Sequence, residues 1–283
     1  MIDSKRHTAA VVVLYNPNDE VVYNIKTYID QVSALYIMDN SEVVNSSLVE
    51  KFIEFPSAKY HHLGDNKGIA FALNIGARKA MADGFSFLLT MDQDTSISAE
   101  LVPKFVEIFT SSEQKRIGLI GPHQGAKRTQ GVEVSEVPFL ITSASILNLK
   151  AYNEVGPFDD ELFIDYVDHE YCMRLWRAGY SVVMDANVTI NHKLGNKIER
   201  KILFFTFSIH AHSSIRLYYI VRNGFFVSRQ FPEFRNFKYH VYKTAIFEIL
   251  KTLLFYKNKM EYLAMIFKGY KDYRANQLGA FKR

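Results

Sequence analysis

The sequence predicts an α/β fold, a sheet flanked by helices with a helical, basic appendage toward its C-terminal end, and three observations carry that reading. Strand, helix and strand patterns follow one another within about the first forty residues. A run of apolar or small side chains from Phe85 to Met91 stops at Asp92-Gln93-Asp94, so an apparently buried strand ends in paired negative charge. From Lys197 onward, aromatic and basic residues interleave with few acids.

The elements follow in order. Ala9 to Tyr15 (AAVVVLY) is β-branched and apolar, and it stops at Asn16-Pro17-Asn18, where Pro17 cannot continue a ladder. Glu20 to Gln31 carries Val21, Ile25 and Ile29 at helical spacing, and Ala34 to Met38 (ALYIM) is a second strand ending at Asp39-Asn40-Ser41. A right-handed crossover makes these a parallel unit whose carboxyl-end loops, at Tyr15-Asn16 and Asp39-Asn40, open on one sheet edge. Asp39 then faces the crevice that Asp92 faces, although Asp-Asn-Ser is also an ordinary turn sequence. Lys59 to Leu63 reads as a short third strand, and Gly64-Asp65-Asn66-Lys67-Gly68 opens a helix for which Asp65 or Asn66 is the expected cap. Small residues at Gly68, Ala72, Gly76 and Ala80 give that helix a narrow face for close packing. The Gly-Lys-Ser/Thr ending of a P-loop is absent.

Asp92 and Asp94 sit where open α/β sheets collect ligands. Two acids one residue apart repel unless a cation or a hydrogen-bonded hydroxyl lies between them, and Mg²⁺ takes carboxylate oxygens together with substrate phosphates. A second reading makes Asp94-Thr95 the cap of a helix from Ala99 to Phe109. Ile117 to Ile120 reads as a strand ending at Gly121-Pro122, Val137 to Leu149 as a further apolar stretch, and Gly156 to Asp159 as a turn. Acids crowd the segment that follows, and Asp168 opens a helix, closed by Gly179, with Cys172, Leu175 and Trp176 on one face. There Asp168 serves either as an N-cap or in chemistry, and Cys172 reads as core. Tyr180 to Met184 and Val188 to Ile190 are strands, and His192 stands in the loop beyond them. The segments KILFFTF, IRLYYIVRNGFF and YHVYKTAIFEILKTLLFYKNK read as helices with one apolar and one basic face.

At 283 residues, with 48% hydrophobic and 23% charged side chains, the chain suits one large domain, or a domain with an appendage. The single Cys172 excludes a disulfide framework and a multi-cysteine zinc site, in keeping with a reducing compartment. Residues 1–10 lack the apolar core of a signal peptide, and no run approaches the roughly twenty apolar residues of a spanning helix, so a cytoplasmic location is expected. The net charge of +4 divides unevenly: residues 193–283 hold 18 Lys and Arg against 5 Asp and Glu, or +13, which leaves −9 for residues 1–192. Such a tail suits a polyanionic partner. Because its bases share segments with large apolar faces, an anionic membrane surface fits better than nucleic acid, and packing on the body or in a homodimer is the alternative.

Taken together, VVVLYNP, Asp39-Asn40-Ser41, GDNKGIAFALNIGA, LLTMDQD, ITSASILN, VGPFDDELFIDYVDHEYCMRLWRAGY, NHKLG and YYIVRN resemble the family 2 glycosyltransferases of the GT-A fold, and among them the rhamnosyltransferase branch, over nearly all of residues 8–225. The resemblance implies a nucleotide-binding half over about 1–95 joined without a break to an acceptor half over about 96–225, and the basic, aromatic-rich tail at 226–283 follows it. It implies that Tyr15, Asn16 and Asp39 contact the base of a sugar nucleotide, that Asn66 and Lys67 hold the nucleoside from its far side, and that Asp92 contacts the ribose or a metal-bound water. Asp94 would bind Mg²⁺ or Mn²⁺ with His192 as a third contribution, Arg222 would meet the diphosphate, and Asp168 would be the general base. Val167 stands where many relatives have Glu, and Ala144 where Gly is common.

The expected reaction is a single inverting displacement, best matched to dTDP-β-L-rhamnose as donor and a saccharide or polyprenyl-diphosphate-linked saccharide as acceptor, on the inner membrane face. Two alternatives keep the same fold: another donor, such as UDP-galactofuranose or a UDP-hexose, and a non-catalytic nucleotide-sugar-binding protein, against which the acids at 92, 94 and 168 argue. A nucleotidyltransferase would carry a Gly-rich, Lys-containing loop after the first strand, where this chain has Tyr15-Asn16-Pro17-Asn18.

Overall fold

The computed structural model describes residues 3–111, 116–123, 134–192, 197–202 and 205–282; for 189, 191, 192, 197–202, 205–208 and 210 it describes the backbone alone. In chain order the elements are α1 (Ser4–His7), β1 (Thr8–Leu14), α2 (Glu20–Lys26), a 3₁₀ turn (Ile29–Gln31), β2 (Ala34–Asp39), α3 (Ser46–Ile53), β3 (Ala58–His62), α4 (Ile69–Ala82), β4 (Phe87–Asp92) and β5 (Thr95–Ser96). There follow α5 (Leu101–Ser111), β6 (Ile117–His123), β7 (Val134–Glu136), β8 (Ser145–Asn148), α6 (Leu149–Val155), a 3₁₀ turn (Asp160–Leu162), α7 (Val167–Arg177), β9 (Ser181–Thr189) and β10 (Asn191–His192). The remainder is β11 (Lys197–Ile202), β12 (Phe205–His210), α8 (Ser214–Gln230), α9 (Arg235–Phe255) and α10 (Lys259–Arg274). By contacts the chain forms two units: Met1–Asp160 with Val167–His192, and Glu161–Tyr166 with Lys193–Arg283.

The first unit is built on an eight-stranded mixed sheet in the order β3-β2-β1-β4-β8-β6-β9-β7. Strands β1, β2, β3 and β4 run parallel, as the opening strand-helix-strand pattern requires, and β8 enters antiparallel between β4 and β6. β1 is buried on both faces. Ala10, Val12 and Leu14 join a core with Val21 and Ile25 of α2, Leu48 of α3 and Phe105 of α5. Val11 meets the small-residue stripe of α4: a Cβ on Gly76 would lie 2.4 Å from Val11 Cγ2, closer than two carbons approach. The stripe therefore sets how near α4 comes to the sheet.

Several boundaries differ from the sequence reading for identifiable reasons. α2 stops at Lys26, where the Thr27 hydroxyl donates back to Asn24 O (2.7 Å) and accepts the Ile97 N–H (3.1 Å). Neither Asp65 nor Asn66 caps α4; its N-cap is Gly68 at φ 89°, a conformation that glycine adopts readily. α5 begins at Leu101, so Asp94-Thr95 is not its cap, and Thr95 instead lies in β5. β6 runs through Pro122, beyond the last residue paired with β8, so the missing N–H breaks no ladder on that side. β9 is one strand where two were expected, and α3, α6 and β7 were not anticipated.

The second unit corrects the expectation for KILFFTF. Instead of a helix, the chain forms the antiparallel pair β11–β12, and FTFSIH alternates apolar and polar residues with the period of a strand. α8 is continuous across the boundary expected at 225/226. It packs on α10 at backbone distance, since a Cβ on Gly269 would lie 2.5 Å from Tyr218 O.

Arg222 of α8 is fully buried, and all five of its N–H donors are used within this unit. Nε donates to Asn223 Oδ1 (2.8 Å), Nη1 to Tyr218 Oη (3.3 Å) and Gly279 O (2.7 Å), and Nη2 to Glu161 O and Leu162 O (3.3 Å each). A guanidinium so saturated has no donor left for a diphosphate, which overturns the role expected for it. Its partner Asn223 directs Nδ2 at Leu162 O and Ile164 O (2.7 Å each) and Asp165 O (3.1 Å). The pair holds a segment in which Phe163, Asp165 and Tyr166 all have positive φ, a strained conformation for side-chain-bearing residues.

Two stability predictions follow from these contacts. Gly76→Ala costs about 1–3 kcal/mol by overpacking, and combining it with Val11→Ala costs less than the sum of the two single changes, read by denaturant melts. Arg222→Lys keeps the charge but cannot span the five acceptors that the guanidinium reaches, leaving Gly279 O without the donor it has now, and lowers stability by about 1–3 kcal/mol in the same assay.

Candidate active site

The candidate site lies at the carboxyl ends of β2, β1 and β4, where Leu14 pairs with Asp39 and Val13 with Asp92. Asp39 is buried: Oδ1 accepts the Ser41 N–H (3.0 Å) and Oδ2 the Tyr60 hydroxyl (2.6 Å). Burial first, and then the Asp39 carboxylate, raises the Tyr60 phenol above its ordinary value, so Tyr60 remains a donor. Next to it, Asn40 takes the Lys67 N–H on Oδ1 (3.1 Å) and donates from Nδ2 to Gly68 O (2.9 Å). That one amide ties the end of β2 to the start of α4. Asn66 Oδ1 accepts the Gly68 N–H (3.1 Å), and the exposed Lys67 ammonium stands 5.4 Å from the Phe71 ring centre.

The ends of β1 and β4 are joined by Gln93. Its Oε1 accepts the Tyr15 N–H (2.9 Å), its Nε2 donates to Tyr15 O (3.2 Å), and Asn24 Nδ2 holds its carbonyl (2.9 Å). Asn16 follows at φ 46° and donates its N–H to Ser41 Oγ (2.8 Å). Tyr15, Asn16 and Asp39 are thus brought to one edge, with Asp92 and Asp94 half-buried beside them. The Asp92 N–H donates to Ser143 Oγ (3.3 Å), and that hydroxyl donates to Thr95 Oγ1 (2.8 Å). Ala144, at φ 58° and fully buried, holds this bend in a conformation more natural to glycine.

Asp168 lies in the first turn of α7 and is not its N-cap, because the helix already begins at Val167. Its Oδ1 is 3.0 Å from both the backbone N and Nδ1 of His169. Burial works to raise the Asp168 pKa, but the His169 imidazole and these hydrogen bonds outweigh it and hold the carboxyl below its ordinary value. Asp168 is therefore an anion throughout the neutral range. Cys172, one turn on, is buried against Leu140 O (3.7 Å), and burial pushes its thiol up to about 12, so it is inert core.

One short strap connects the two sets of acids. Phe139 stacks at a tilt on His169 with ring centres 4.9 Å apart, Leu140 contacts Cys172, and Ser143 reaches Thr95 and the Asp92 N–H. Four residue steps separate Phe139 from Ser143, at most about 14 Å of extended chain. The strap thus links the start of α7 to the tip of β4 within one unit.

Sequence reasoning assigned no role to Asn40, Gln93, Ser143 or Tyr60, nor to Asn74 and Arg174. Asn74 on α4 is buried with four bonds: Nδ2 to Phe158 O (2.8 Å) and Asp160 Oδ1 (2.6 Å), and Oδ1 from the Tyr152 hydroxyl (2.8 Å) and the Phe158 N–H (2.9 Å). Arg174 pairs with buried Glu170 through Nε (2.6 Å) and Nη2 (2.8 Å), and donates to Val155 O and Pro157 O. The one available signal was a polar residue in the middle of a helix whose neighbours are all apolar or small, as Asn74 is in FALNIGA.

For a divalent cation the donor set is spare. Among the described residues no cluster of three or more His, Cys, Asp or Glu side chains is poised to hold a metal ion. The backbone of His192 pairs with Thr95, next to Asp94, but its side chain lies outside the described residues. Two half-buried carboxylates at a strand end still suit Mg²⁺ or Mn²⁺, which keep water ligands and take substrate phosphates in place of a full protein cage.

The chain is 29% identical to the dTDP-rhamnosyl transferase RfbF of Shigella flexneri over 284 residues, covering 90% of each protein. Among solved structures it resembles S. aureus TarS 1-349 in complex with UDP-GlcNAc, with a TM-score of 0.54 at 12% identity over 95% of this chain and 72% of that one. It also resembles GalNAc-T7 with UDP, GalNAc and Mn²⁺, with a TM-score of 0.54 at 16% identity over 66% of this chain, but spans only 44% of that protein's chain. At these identities the solved structures share the fold, a mixed sheet flanked by helices of the GT-A kind. The glycosyl transferase family 2 model matches residues 9–156, more than half of the chain, including the strands that end at Asp39 and Asp92 and the turn that carries Asp94, and the chain belongs to that family of glycosyltransferases.

Proposed function

We propose that the protein transfers L-rhamnose from dTDP-β-L-rhamnose, with inversion, to a saccharide or a polyprenyl-diphosphate-linked saccharide acceptor used in cell-surface polysaccharide synthesis. The observation that carries the choice of sugar is the 29% identity to a dTDP-rhamnosyl transferase along 90% of the chain. The buried Asp39 carboxylate supports a pyrimidine base, because an acceptor at that depth suits the N3–H of thymine or uracil. Tyr15 and Asn16 flank it at the end of β1, and Asn66 and Lys67 are proposed to contact the nucleoside from the start of α4.

Asp94, with Asp92 beside it and His192 as a third candidate, is proposed to hold Mg²⁺ or Mn²⁺. When bound, the cation supplies neutralisation of the diphosphate. Asp168 takes the proton of the acceptor hydroxyl as that oxygen attacks the anomeric carbon from the face opposite the nucleotide; the C–O bond to the diphosphate breaks as the new one forms, and inversion follows. Arg222 has no part in this step, for the reason given above. In domain terms, the nucleotide-binding half is proposed over about 1–95, with Asp168 on the acceptor half of the same compact unit, and the tail from 226 is proposed to serve at a membrane surface or in a homodimer.

Thermal-shift measurements with dTDP-, UDP- and GDP-sugars, each with and without Mn²⁺, test the donor. The dTDP-sugar with Mn²⁺ should stabilise most, by about 2.7 kcal/mol at a hundredfold excess over Kd; a GDP-sugar in that place would remove the pyrimidine assignment. Asp168→Asn should lower kcat on the order of 10²–10⁴-fold with the donor-induced shift retained, while Asp94→Asn should lose the Mn²⁺-dependent part of that shift. Near-normal turnover by Asp168→Asn would remove the proposed base.

The acid limb of kcat/KM should fall below the ordinary carboxylate range, because Asp168 binds its proton weakly. His169→Gln removes the main lowering influences and leaves burial, which raises, so the limb should move to higher pH; a shift to lower pH would contradict the assignment.

A further inference from the structure

Helix α9 is turned inside out. Its inward face holds Phe237 and Val241 but also a buried ion pair, Lys251 Nζ to Glu248 Oε1 at 2.6 Å, with Thr252 beside it. Its outward face holds Tyr239, Tyr242, Ile246, Leu250 and Leu253, which are 72%, 49%, 58%, 51% and 43% exposed. At 100° per residue these five side chains fall within an arc of about 80°. Apolar residues thus lie on both sides, which corrects the single apolar face expected for this segment. An apolar stripe of this length on a solvated helix marks an interaction surface.

Charge decides what covers it. Arg235, Lys238, Lys243, Lys257 and Lys259 are exposed along and just beyond α9, and the only acid from 235 to 260 is Glu248, which is buried and paired with Lys251. A second copy docked about a two-fold axis would set these bases against themselves with no acid on the face to answer them. Anionic phospholipid headgroups answer every one. No helix among the described residues is long and apolar enough to cross a membrane, and a 21-residue helix, about 31 Å long, can lie in the interface with tyrosines at headgroup level and Ile and Leu below them.

We propose that the outward face of α9 docks the protein on an anionic lipid bilayer, lying in the plane of the interface. This deepens the lipid-linked acceptor reading above and rests on it for its purpose, since docking would bring the transferase to an acceptor confined to that surface.

The test is sedimentation of the full chain with vesicles of phosphatidylcholine alone or mixed with phosphatidylglycerol. The wild-type protein should pellet with the mixed vesicles and release with salt. Ile246→Glu/Leu250→Glu should weaken that binding at least tenfold, and Lys238→Glu/Lys243→Glu should abolish the preference for phosphatidylglycerol, each with an unchanged melting temperature. No wild-type binding at low salt, or equal binding by both variants, would overturn the proposal. So would a light-scattering mass that falls from dimer to monomer in Ile246→Glu/Leu250→Glu, which would give the face to a second copy. The donor-induced thermal shift is read in parallel: its absence with vesicle binding intact would sink the transferase reading and leave the docking face standing.

Discussion

The register of β2, β1 and β4 is the constraint on which the candidate site depends. Leu14 sits opposite Asp39 and Val13 near Asp92, so the acids of the two outer strands reach the same edge about two strand spacings apart, on the order of 10 Å. A slip of one residue would turn Asp39 or Asp92 to the other face of the sheet. Burial of β1 on both faces opposes such a slip, because Ala10, Val12 and Leu14 would exchange places with Ala9, Val11 and Val13, and Gly76 leaves room opposite Val11 for one arrangement only. Gln93 then locks the tips of β1 and β4 with two bonds across the gap, and Asn40 does the same between β2 and α4.

A second constraint acts on the irregular chain before α7. Carbonyls in such a segment have no helix or ladder to satisfy them, and leaving a buried one unpaired costs about 1–3 kcal/mol. Four side chains supply the missing donors. Arg174 serves Val155 and Pro157, Asn74 serves Phe158, Arg222 serves Glu161 and Leu162, and Asn223 serves Leu162, Ile164 and Asp165. With the bonds of Arg222 and Asn223 in place the backbone can hold positive φ at Phe163, Asp165 and Tyr166. The conformation of the acidic segment is thus written largely in residues distant from it along the chain.

That distribution explains what could be read from sequence and what could not. The apolar runs at Ala9, Ala34 and Phe85 announced three parallel strands because burial on two faces leaves a continuous hydrophobic signature, and the acids at their ends stood out against it. Arg222 was misread because its neighbours in YYIVRN fix its helix but not the direction of its side chain, which is set by carbonyls some sixty residues away. KILFFTF was misread because large apolar residues hid a period of two that becomes visible only in FTFSIH. Asn74 and Gln93 work through bonds to residues 78 to 86 positions away, and no local pattern encodes such a partner. The reversed face of α9 escaped for a related reason: which side of an all-round apolar helix is covered depends on its neighbours.

On the proposed reaction, the electrostatics at Asp168 also say where the rate must come from. A carboxylate held below its ordinary pKa is a weak acceptor for the proton of a sugar hydroxyl in the ground state, and base strength supplies little of the barrier reduction. The proton becomes acidic enough to leave only as the oxygen bonds to the anomeric carbon, so transfer is late and the carboxylate's position matters more than its affinity. Well-oriented reacting groups gain effective molarities of 10⁵ M or more, roughly 7 kcal/mol, and a displacement on the order of an ångström can forfeit about 10²-fold of that rate. Two features hold Asp168 to that tolerance: His169, which takes its Oδ1 from ring and backbone together, and the Phe139–Ser143 strap, which links the same turn to the tip of β4. The imidazole that weakens the base also fixes where it points, and a late proton transfer lets the second effect outweigh the first.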